Sequence, residues 1–371
     1  MTIPLVDLVA QYHAIKPEID AAIQGILETA SFIGGKPVAD FEREFARFCG
    51  ARAAVGAASG TAALHLALCE TGIRPGEEMI TVSQTFIATA EVARMCGATV
   101  RMVDVDPRTY CMDPEALRAA IGERTRVVIP VHLYGHPADM DPILALARER
   151  GIAVIEDAAQ AHGARYHGRR VGALAPLATF SFYPGKNLGA YGDAGAVLTD
   201  SDAAADHMAR LANHGRAEKY EHSMEGYNYR LDALQAAVLS VKLRRLEQWN
   251  ARRRAIAARY TELLGDLPEV TTPFVAPDAE SVFHLYVIQV PDRDRVASKL
   301  RELGVLVQLH YPIPLHLQPA YAHLGMKRGS LPATEKIAEH CISMPCYPEM
   351  TEEQIRFVVA ALKQALAGRA A

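Results

Sequence analysis

The sequence lacks the features that would assign it to a membrane or to an oxidising compartment. No apolar run approaches the roughly 20 residues that cross a bilayer. The first seven residues, MTIPLVD, also lack the basic and apolar segments of a signal peptide. Six cysteines are scattered over 371 residues, mostly within apolar runs, which indicates free, buried thiols of a reducing compartment. We therefore expect a cytoplasmic protein that has no membrane partner.

An excess of charge of one sign is also lacking. The 39 basic and 43 acidic residues give a net charge of −4. This balance argues against a general nucleic-acid binder, because such a protein presents a basic field over a whole face. The arginines at 244, 245 and 252–254 are interleaved with acidic and apolar residues. We therefore interpret them as a solvated face or a subunit contact.

Three common ligand motifs are missing as well. No Gly-x-Gly-x-x-Gly follows a predicted strand, which removes the main support for nicotinamide binding. Residues 34–36 read Gly-Gly-Lys but are followed by Pro37 instead of a hydroxyl residue, so they do not form a nucleotide P-loop. His132 and His136 have a metal-like spacing, but a neighbouring glycine and proline would break the helix that aligns their rings. We predict structural histidines and no metal.

The residues that are present predict an α/β fold in two lobes. The chain exceeds the roughly 250–300 residues that one core usually holds, and 50% of its residues are hydrophobic. Between residues 53 and 199 short apolar runs alternate with amphipathic stretches, which is typical of a mainly parallel central sheet with helices on both faces. The predicted strands are residues 53–57, 79–82, 99–103, 126–131, 152–155, 179–182 and 195–198.

A different pattern begins near Arg230. Leucines and valines recur there at helical spacing and predict a long helix towards Leu264, interrupted or not near Trp249. Two strands, at 284–290 and 305–310, and three helices, at 292–303, 332–340 and 351–366, are predicted beyond it. We therefore expect a large domain of residues 1–245 and a smaller C-terminal α+β domain of residues 246–371.

The segment that is richest in chemistry surrounds Lys186. A strand of aromatic and hydroxyl residues leads into Pro-Gly and this lysine, with glycines at 185, 189, 192 and 195. Glycine lets the backbone approach a ligand closely. A desolvated lysine has a lowered pKa and becomes a nucleophilic amine that can form a Schiff base. Taken alone, the segment is more often a surface lysine in a glycine-rich loop.

Two further segments are typical of ligand sites in open α/β sheets. Glu156 and Asp157 end an apolar strand, where such sheets place their ligands, and an acid there could pair with a cationic ring nitrogen. Ser59, Gly60 and Thr61 join a strand to a helix start, where free amides and the helix dipole can hold a phosphate. Helix capping by Asp157 or by the serine and threonine is the alternative in each case.

Five motifs follow one another in a fixed order: Ser-Gly-Thr at 59–61, Gln-Thr-Phe at 84–86, Glu-Asp-Ala-Ala-Gln at 156–160, Ser-Phe-Tyr-Pro-Gly-Lys-Asn at 181–187 and Gly-Tyr-Asn-Tyr-Arg-Leu-Asp at 226–232. Together they resemble the pyridoxal-phosphate-dependent sugar aminotransferases of the DegT/DnrJ/EryC/StrS family, which have the aspartate aminotransferase fold, fold type I. The resemblance spans nearly the whole chain. It implies pyridoxal 5′-phosphate as cofactor, with pyridoxamine 5′-phosphate as its intermediate form. It also implies a homodimer with shared active sites.

The resemblance implies roles for individual residues. Lys186 would bind the cofactor as a Schiff base and, once displaced, would move a proton between the substrate carbon and C4′. Asp157 would hold the pyridine nitrogen in its protonated state. The other implied cofactor contacts are Gly60, Thr61 and Ser181 at the phosphate, Phe86 on the ring face, Gln160 at the phenolic oxygen and Asn228, which would reach the phosphate from the neighbouring subunit.

The resemblance also implies a reaction. Family members with histidine at the lysine position dehydrate sugars, so Lys186 favours transfer of an amino group, with L-glutamate as the implied donor, to a nucleotide-linked keto sugar. The residues that follow Lys186 resemble members acting at C3. A 4-keto sugar aminotransferase and a non-catalytic regulatory or binding protein are the alternatives. Candidate substrate contacts, each of which could instead be packed or solvated, are Tyr183, Lys219, His310 and Tyr311.

Overall fold

A computed structural model describes residues 1–367 of the chain. The strands among these residues are short, with at most five residues each. They are β1 (Ala53–Ala57), β2 (Glu78–Val82), β3 (Thr99–Val103), β4 (Thr125–Ile129), β5 (Ala153–Asp157), β6 (Arg165–Tyr166), β7 (Arg169–Arg170), β8 (Leu177–Ser181), β9 (Gly195–Thr199), β10 (Arg216–Glu218), β11 (Glu221–His222), β12 (Ala279–Glu280), β13 (Tyr286–Gln289) and β14 (Cys341–Met344).

Seven of these strands form the central sheet, in the order β1-β9-β8-β5-β4-β2-β3. The pairings of β3, β2, β4, β5 and β8 are parallel, and β9 runs antiparallel to both of its neighbours. All residues of β2 and β9 are buried, as expected for strands that helices cover on both faces. The predicted α/β class with a mainly parallel sheet is confirmed.

The helices of the described residues lie before, between and after the strands of the central sheet. The sequence analysis did not assign the first two, at the start of the chain. The helices are α1 (Leu8–Thr29), α2 (Gly35–Cys49), α3 (Gly60–Glu70), α4 (Ala88–Met95), α5 (Pro114–Ala120), α6 (Met140–Arg150), α7 (Asp202–Ala212), α8 (Ala233–Leu243), α9 (Leu246–Leu264), α10 (Arg293–Glu302), α11 (Pro332–His340) and α12 (Glu352–Ala367), with short 3-10 helices at Leu133–Gly135, Leu315–Leu317 and Pro319–Leu324.

Helices cover both faces of the sheet. On one face Phe41 and Phe45 of α2 pack edge-on against Phe182, and Phe45 also meets Phe180. On the other face the buried residues of α3 and α4 pack in a second core with the strands. These two layers hold the ends of β5 and β8 in fixed positions.

A third core lies in the C-terminal part of the chain. It takes residues of α9 from Ile256 onwards, residues of β13, β14, α10 and α12, and Ile3 from the N-terminal segment. Leu246 and Trp249 at the start of α9 belong to other cores. The proposed domain boundary between residues 245 and 246 stays a prediction.

One prediction for the second half of the chain is wrong. Residues 305–310 do not form a strand: Val305 and Gln308 make isolated bridges, to Ile3 and Ser343. The predicted helical stretch towards Leu264, for which an interruption near Trp249 was left open, is divided between α8 and α9 at residues 244–245.

No helix within residues 1–367 is long and apolar enough to span a membrane. All six cysteines are free. Four of them are buried as predicted, but Cys69 and Cys96 are only half-buried. The cytoplasmic location stays a prediction.

Candidate active site

A cavity of about 890 Å³ opens where β5 and β8 end. Parallel strands place their carboxyl ends at the same edge of a sheet, which is where ligands bind in open α/β folds. The walls come from both the sheet edge and the C-terminal part of the chain. Of the twelve candidate site residues, ten line this cavity: Gly60, Thr61, Phe86, Asp157, Gln160, Ser181, Tyr183, Lys186, His310 and Tyr311.

The other two candidates lie outside the cavity of their own chain. Asn228 is exposed, and its backbone pairs with Asn213. Lys219 is exposed in the turn between β10 and β11, with its Nζ 5.4 Å from the ring of Tyr220. Neither residue lines this cavity in its own chain.

The N-terminus of α3 forms one wall. Ser59 caps the helix, and its Oγ accepts a hydrogen bond from the Ala62 amide at 3.1 Å. The capping that the sequence offered as an alternative is therefore present. It uses the third amide only, and the amides of Gly60 and Thr61 belong to the first turn, where no intrahelical acceptor exists. The capped helix therefore still presents two amides and its dipole to the cavity.

Glycine at position 60 lets this helix end approach β8 closely. A Cβ on Gly60 would lie 2.6 Å from Cβ and 3.0 Å from Oγ of Ser181. On the other side, a Cβ on Gly195 would lie 2.3 Å from the carbonyl oxygen of Ser59. The two glycines thus bring the amides of α3 and the hydroxyl of Ser181 together.

We expect Gly60→Ala to push α3 away from Ser181. Overpacking of this kind costs about 1–3 kcal/mol, and an anion bound at the helix end should bind about tenfold more weakly. Urea unfolding and phosphate-ester binding to the purified protein would measure the two effects. Gly25→Ala is the matched control, because a Cβ there meets nothing within 4 Å and alanine is the better residue inside α1. An unchanged affinity in Gly60→Ala would contradict this account.

Lys186 lies in a loop that hydrogen bonds hold in place. Its amide donates to the Tyr183 carbonyl at 2.8 Å. The next residue, Asn187, is buried, and its Nδ2 donates to Asn250 Oδ1 at 2.9 Å and to the Val282 carbonyl at 3.1 Å. Burial lowers the pKa of Lys186 to about 8, and the negative charge of Asp157 opposes part of this shift. The amine is therefore partly neutral near neutral pH and can act as a nucleophile.

The lowered pKa predicts how the reactivity of Lys186 depends on pH. Since only the neutral amine reacts, acetylation of Lys186 should rise about tenfold per pH unit at low pH and level off above a pH of about 8. A short lysine peptide in the same tube should level off only near pH 10.4, the usual value for lysine. Mass spectrometry of the cofactor-free protein would measure both rates. A Lys186 profile equal to that of the peptide would show that the site does not lower its pKa.

Two adjacent carboxyl groups have different surroundings. Asp157 ends β5, is buried, and accepts from Thr89 Oγ1 at 2.7 Å and from the Ala159 amide at 3.1 Å. No helix begins after it, so the predicted alternative of a helix cap is wrong. Glu156 is fully buried on the other side of the strand. Asp157 alone lines the cavity.

Glu156 has a structural environment. Its Oε2 accepts from His132 Nε2 and the Gly172 amide, both at 3.0 Å. Its Oε1 accepts from the amides of Leu174 and Ala175, at 2.9 and 2.8 Å. The other nitrogen of His132 accepts from the Ala138 amide at 2.9 Å. Both nitrogens of His132 are therefore engaged, in agreement with a structural histidine.

The amide group of Gln160 has a defined orientation. Its Oε1 accepts from the Tyr134 amide at 2.7 Å, and its Nε2 donates to the Tyr311 hydroxyl at 3.2 Å. The Tyr134 amide can only donate, so the Gln160 nitrogen must lie on the side of the cavity. Tyr134 itself has a left-handed backbone (φ 58°), and its hydroxyl donates to the His310 carbonyl. Tyr134 therefore links the sheet edge to the opposite wall.

Three histidines surround Lys186. Burial and the charge of Lys186 lower the pKa of His310 to about 4 and that of His162 to about 3. The same two causes hold the pKa of His284 well below its usual value. All three imidazoles are therefore neutral near pH 7. Of the three, His284 and His310 line the cavity, so they can offer hydrogen bonds to a substrate without adding positive charge next to the amine.

Several residues that shape the site were missed by the sequence analysis. Arg253 is not on a solvated face: it is buried, lines the cavity, and donates to the carbonyls of His284 and Cys346. Thr89 was also missed, although its position four residues after Thr85 at a helix start was a usable signal. The arginine cluster gave no such signal, because buried and exposed arginines look alike in sequence.

Comparison with known proteins identifies the family of this chain. The model of the DegT/DnrJ/EryC1/StrS aminotransferase family matches residues 13–363. A dTDP-3-amino-3,4,6-trideoxy-alpha-D-glucose transaminase of Streptomyces venezuelae is 44% identical over 362 residues, which cover 98% of this chain and 96% of that protein. A pleiotropic regulatory protein of Geobacillus stearothermophilus is 46% identical over 363 residues and 97% of each chain.

The fold is also that of a solved structure. The crystal structure of S. venezuelae DesV in complex with a ketimine intermediate has a TM-score of 0.97 and 44% identity to this chain, with 100% of both chains covered. The fold and the site thus define an aminotransferase. The chain belongs to the DegT/DnrJ/EryC1/StrS aminotransferase family.

Proposed function

We propose that this protein uses pyridoxal 5′-phosphate to move an amino group from an amino acid, L-glutamate being the expected donor, to a keto sugar linked to a nucleoside diphosphate. The observation that carries the proposal is the pairing of Lys186, an amine with a lowered pKa, and Asp157, a buried carboxylate, in one cavity. A nucleophilic amine and a fixed anion are the two groups that this cofactor requires.

The residues around the cavity fit the cofactor group by group. The amides of Gly60 and Thr61 and the hydroxyl of Ser181 would hold its phosphate at the start of α3. Asp157 would accept the ring N–H, since its carboxylate is buried and held by neutral donors only. The Gln160 nitrogen would donate to the phenolic oxygen, and Phe86, at the cavity wall, would stack on the ring. No metal has a role in this proposal.

The chemistry divides between the cofactor and the chain. When bound, the cofactor supplies an electron sink for the electrons of a carbanion. Lys186 Nζ would carry the proton that leaves the substrate carbon, because its lowered pKa allows a neutral amine near pH 7. Asp157 would keep the ring nitrogen protonated. His284 and His310, which line the cavity, would orient the substrate as neutral imidazoles.

The substrate would lie between the cofactor and the C-terminal wall. Tyr183, His310 and Tyr311 present two hydroxyls and an imidazole to this space, as groups that bind sugar hydroxyls do. Arg253 and Arg301 also line the cavity and carry the positive charge that suits a diphosphate or the carboxylate of the donor.

A homodimer with shared sites is part of the proposal. Asn228 and Lys219 do not line the cavity of their own chain, so the proposal places them at the cofactor phosphate and the diphosphate of a second copy. Large apolar side chains are also exposed, such as Tyr220 (86%) and Ile33 (58%), which suits a covered surface. Sedimentation of the purified protein would test for the dimer.

Amination at C3 is the proposed regiochemistry. Its support is the sequence that follows Lys186 and the likeness to a transaminase named for a 3-amino sugar. A panel of 3-keto and 4-keto nucleotide sugars, each offered with glutamate and assayed for amino sugar by mass spectrometry, would test it. Turnover of 4-keto substrates alone would overturn the C3 assignment but not the aminotransferase activity.

A regulatory role without turnover is the second candidate, because a relative with 46% identity is named as a regulatory protein. The two functions differ in what happens to the bound cofactor. Glutamate should bleach its visible absorbance and a keto sugar nucleotide should restore it if the protein is an aminotransferase. A cofactor that no amino acid converts would favour the regulatory role.

A further inference from the structure

Three side chains that can ligate a metal meet away from the candidate active site. His65 and Cys69 lie four residues apart on α3 and so share one face of the helix. Cys96 directly follows α4, which packs against α3. The ligand atoms of the three residues lie within 4.8 Å of one another. The cluster is near the C-terminal end of α3, whereas the two amides of the candidate phosphate site are at its N-terminal end.

The imidazole of His65 provides a second, independent observation. The side chain is buried, with 2% of its surface exposed. Its Nδ1 is 3.3 Å from the hydroxyl of Tyr229, whereas its Nε2 has no hydrogen-bond partner among the described residues. A buried polar atom without a partner is costly. The Tyr229 contact fixes the ring as the outer partner of a metal-bound histidine does, and it leaves Nε2 for a ligand.

We propose that His65 Nε2 and the sulfurs of Cys69 and Cys96 bind a Zn²⁺ ion, with water as the fourth ligand. A tetrahedral ion with Zn–S bonds of about 2.3 Å separates two sulfurs by about 3.8 Å, and these sulfurs are 3.7 Å apart. Thiolate and imidazole ligands select zinc over magnesium or calcium. Both thiols must lose a proton on binding, so each ion releases about two protons.

A disulfide is a poorer explanation of the same cluster. It would require the two sulfurs to approach to about 2.05 Å. It would also leave the Nε2 atom of His65 as it is now, buried and without a partner among the described residues. A metal ion accounts for all three side chains at once.

Cobalt substitution tests the site in the intact holoenzyme. The reduced, chelator-treated protein should take up about one Co²⁺ per chain, with a thiolate charge-transfer band in the near ultraviolet, and Zn²⁺ should displace it. Cys69→Ser and Cys96→Ser should each weaken the band, because one of the two thiolates is lost, and His65→Ala should weaken binding. Cys111→Ala, which also removes one thiol, is the matched control and should bind as the wild type does.

Two results would overturn the proposal: no metal uptake by the reduced wild type, or a charge-transfer band of undiminished intensity in both serine variants. Circular dichroism would establish that the variants fold. If they do not, alkylation of the wild type replaces them as the test. Zn²⁺ should then protect Cys69 and Cys96 from alkylation, as read by mass spectrometry, and equal labelling with and without Zn²⁺ would show that no site exists.

Discussion

Replacement of Lys186 should abolish amino transfer. We expect turnover of Lys186→Ala to fall by at least about 10³-fold, because a positioned proton-transfer group alone contributes about 10²–10⁴-fold and this lysine is also the proposed point of cofactor attachment. Single-turnover absorbance with glutamate would measure the loss separately from sugar binding.

The Lys186→Arg variant separates charge from reactivity. Arginine keeps the positive charge opposite Asp157, but it does not deprotonate and cannot attack the cofactor. We therefore expect it to be as inactive as the alanine variant while retaining the fold. Lys299→Ala, which changes an exposed lysine on α10, is the control and should keep full turnover. An arginine variant that turns over normally would show that only the charge at position 186 matters.

The residues of the cavity that could be predicted from sequence are those at strand ends and helix starts. Asp157 and Ser181 end neighbouring parallel strands, so a strand prediction already places them at one edge of the sheet. Gly60 and Thr61 begin a helix just after β1. Local sequence patterns predict these positions because the place of each residue is set by the strand or helix that contains it.

The opposite wall could not be predicted in the same way. His310 and Tyr311 do not end a strand, because residues 305–310 form only isolated bridges. Their position depends on contacts with distant residues: Tyr134 donates to the His310 carbonyl, and Gln160 donates to Tyr311. Contacts between residues more than 150 positions apart leave no periodic signal. In the proposed homodimer, the positions of Asn228 and Lys219 relative to a ligand would depend on a second chain, which no local pattern in the sequence can predict.

The second large effect concerns the two adjacent carboxylates, Glu156 and Asp157. Replacement of Asp157 should reduce turnover, whereas replacement of Glu156 should reduce the free energy of unfolding. Asp157→Asn keeps groups that can bond to Thr89 and to the Ala159 amide, since a threonine hydroxyl can also accept. We expect its free energy of unfolding to change by less than about 1 kcal/mol. Its turnover should fall on the order of 10³-fold, because the variant loses the charge that faces the proposed ring nitrogen.

Glu156→Gln is the matched control for Asp157→Asn, because it makes the same chemical change one residue away. Each oxygen of Glu156 accepts two hydrogen bonds. An amide nitrogen in place of one oxygen would therefore face two donors and leave them unpaired. We expect a loss of about 3–5 kcal/mol in the free energy of unfolding, with turnover per folded molecule largely kept. Urea unfolding and turnover measured on both variants would show whether the effects separate, and equal loss of turnover in both would contradict a distinct role for Asp157.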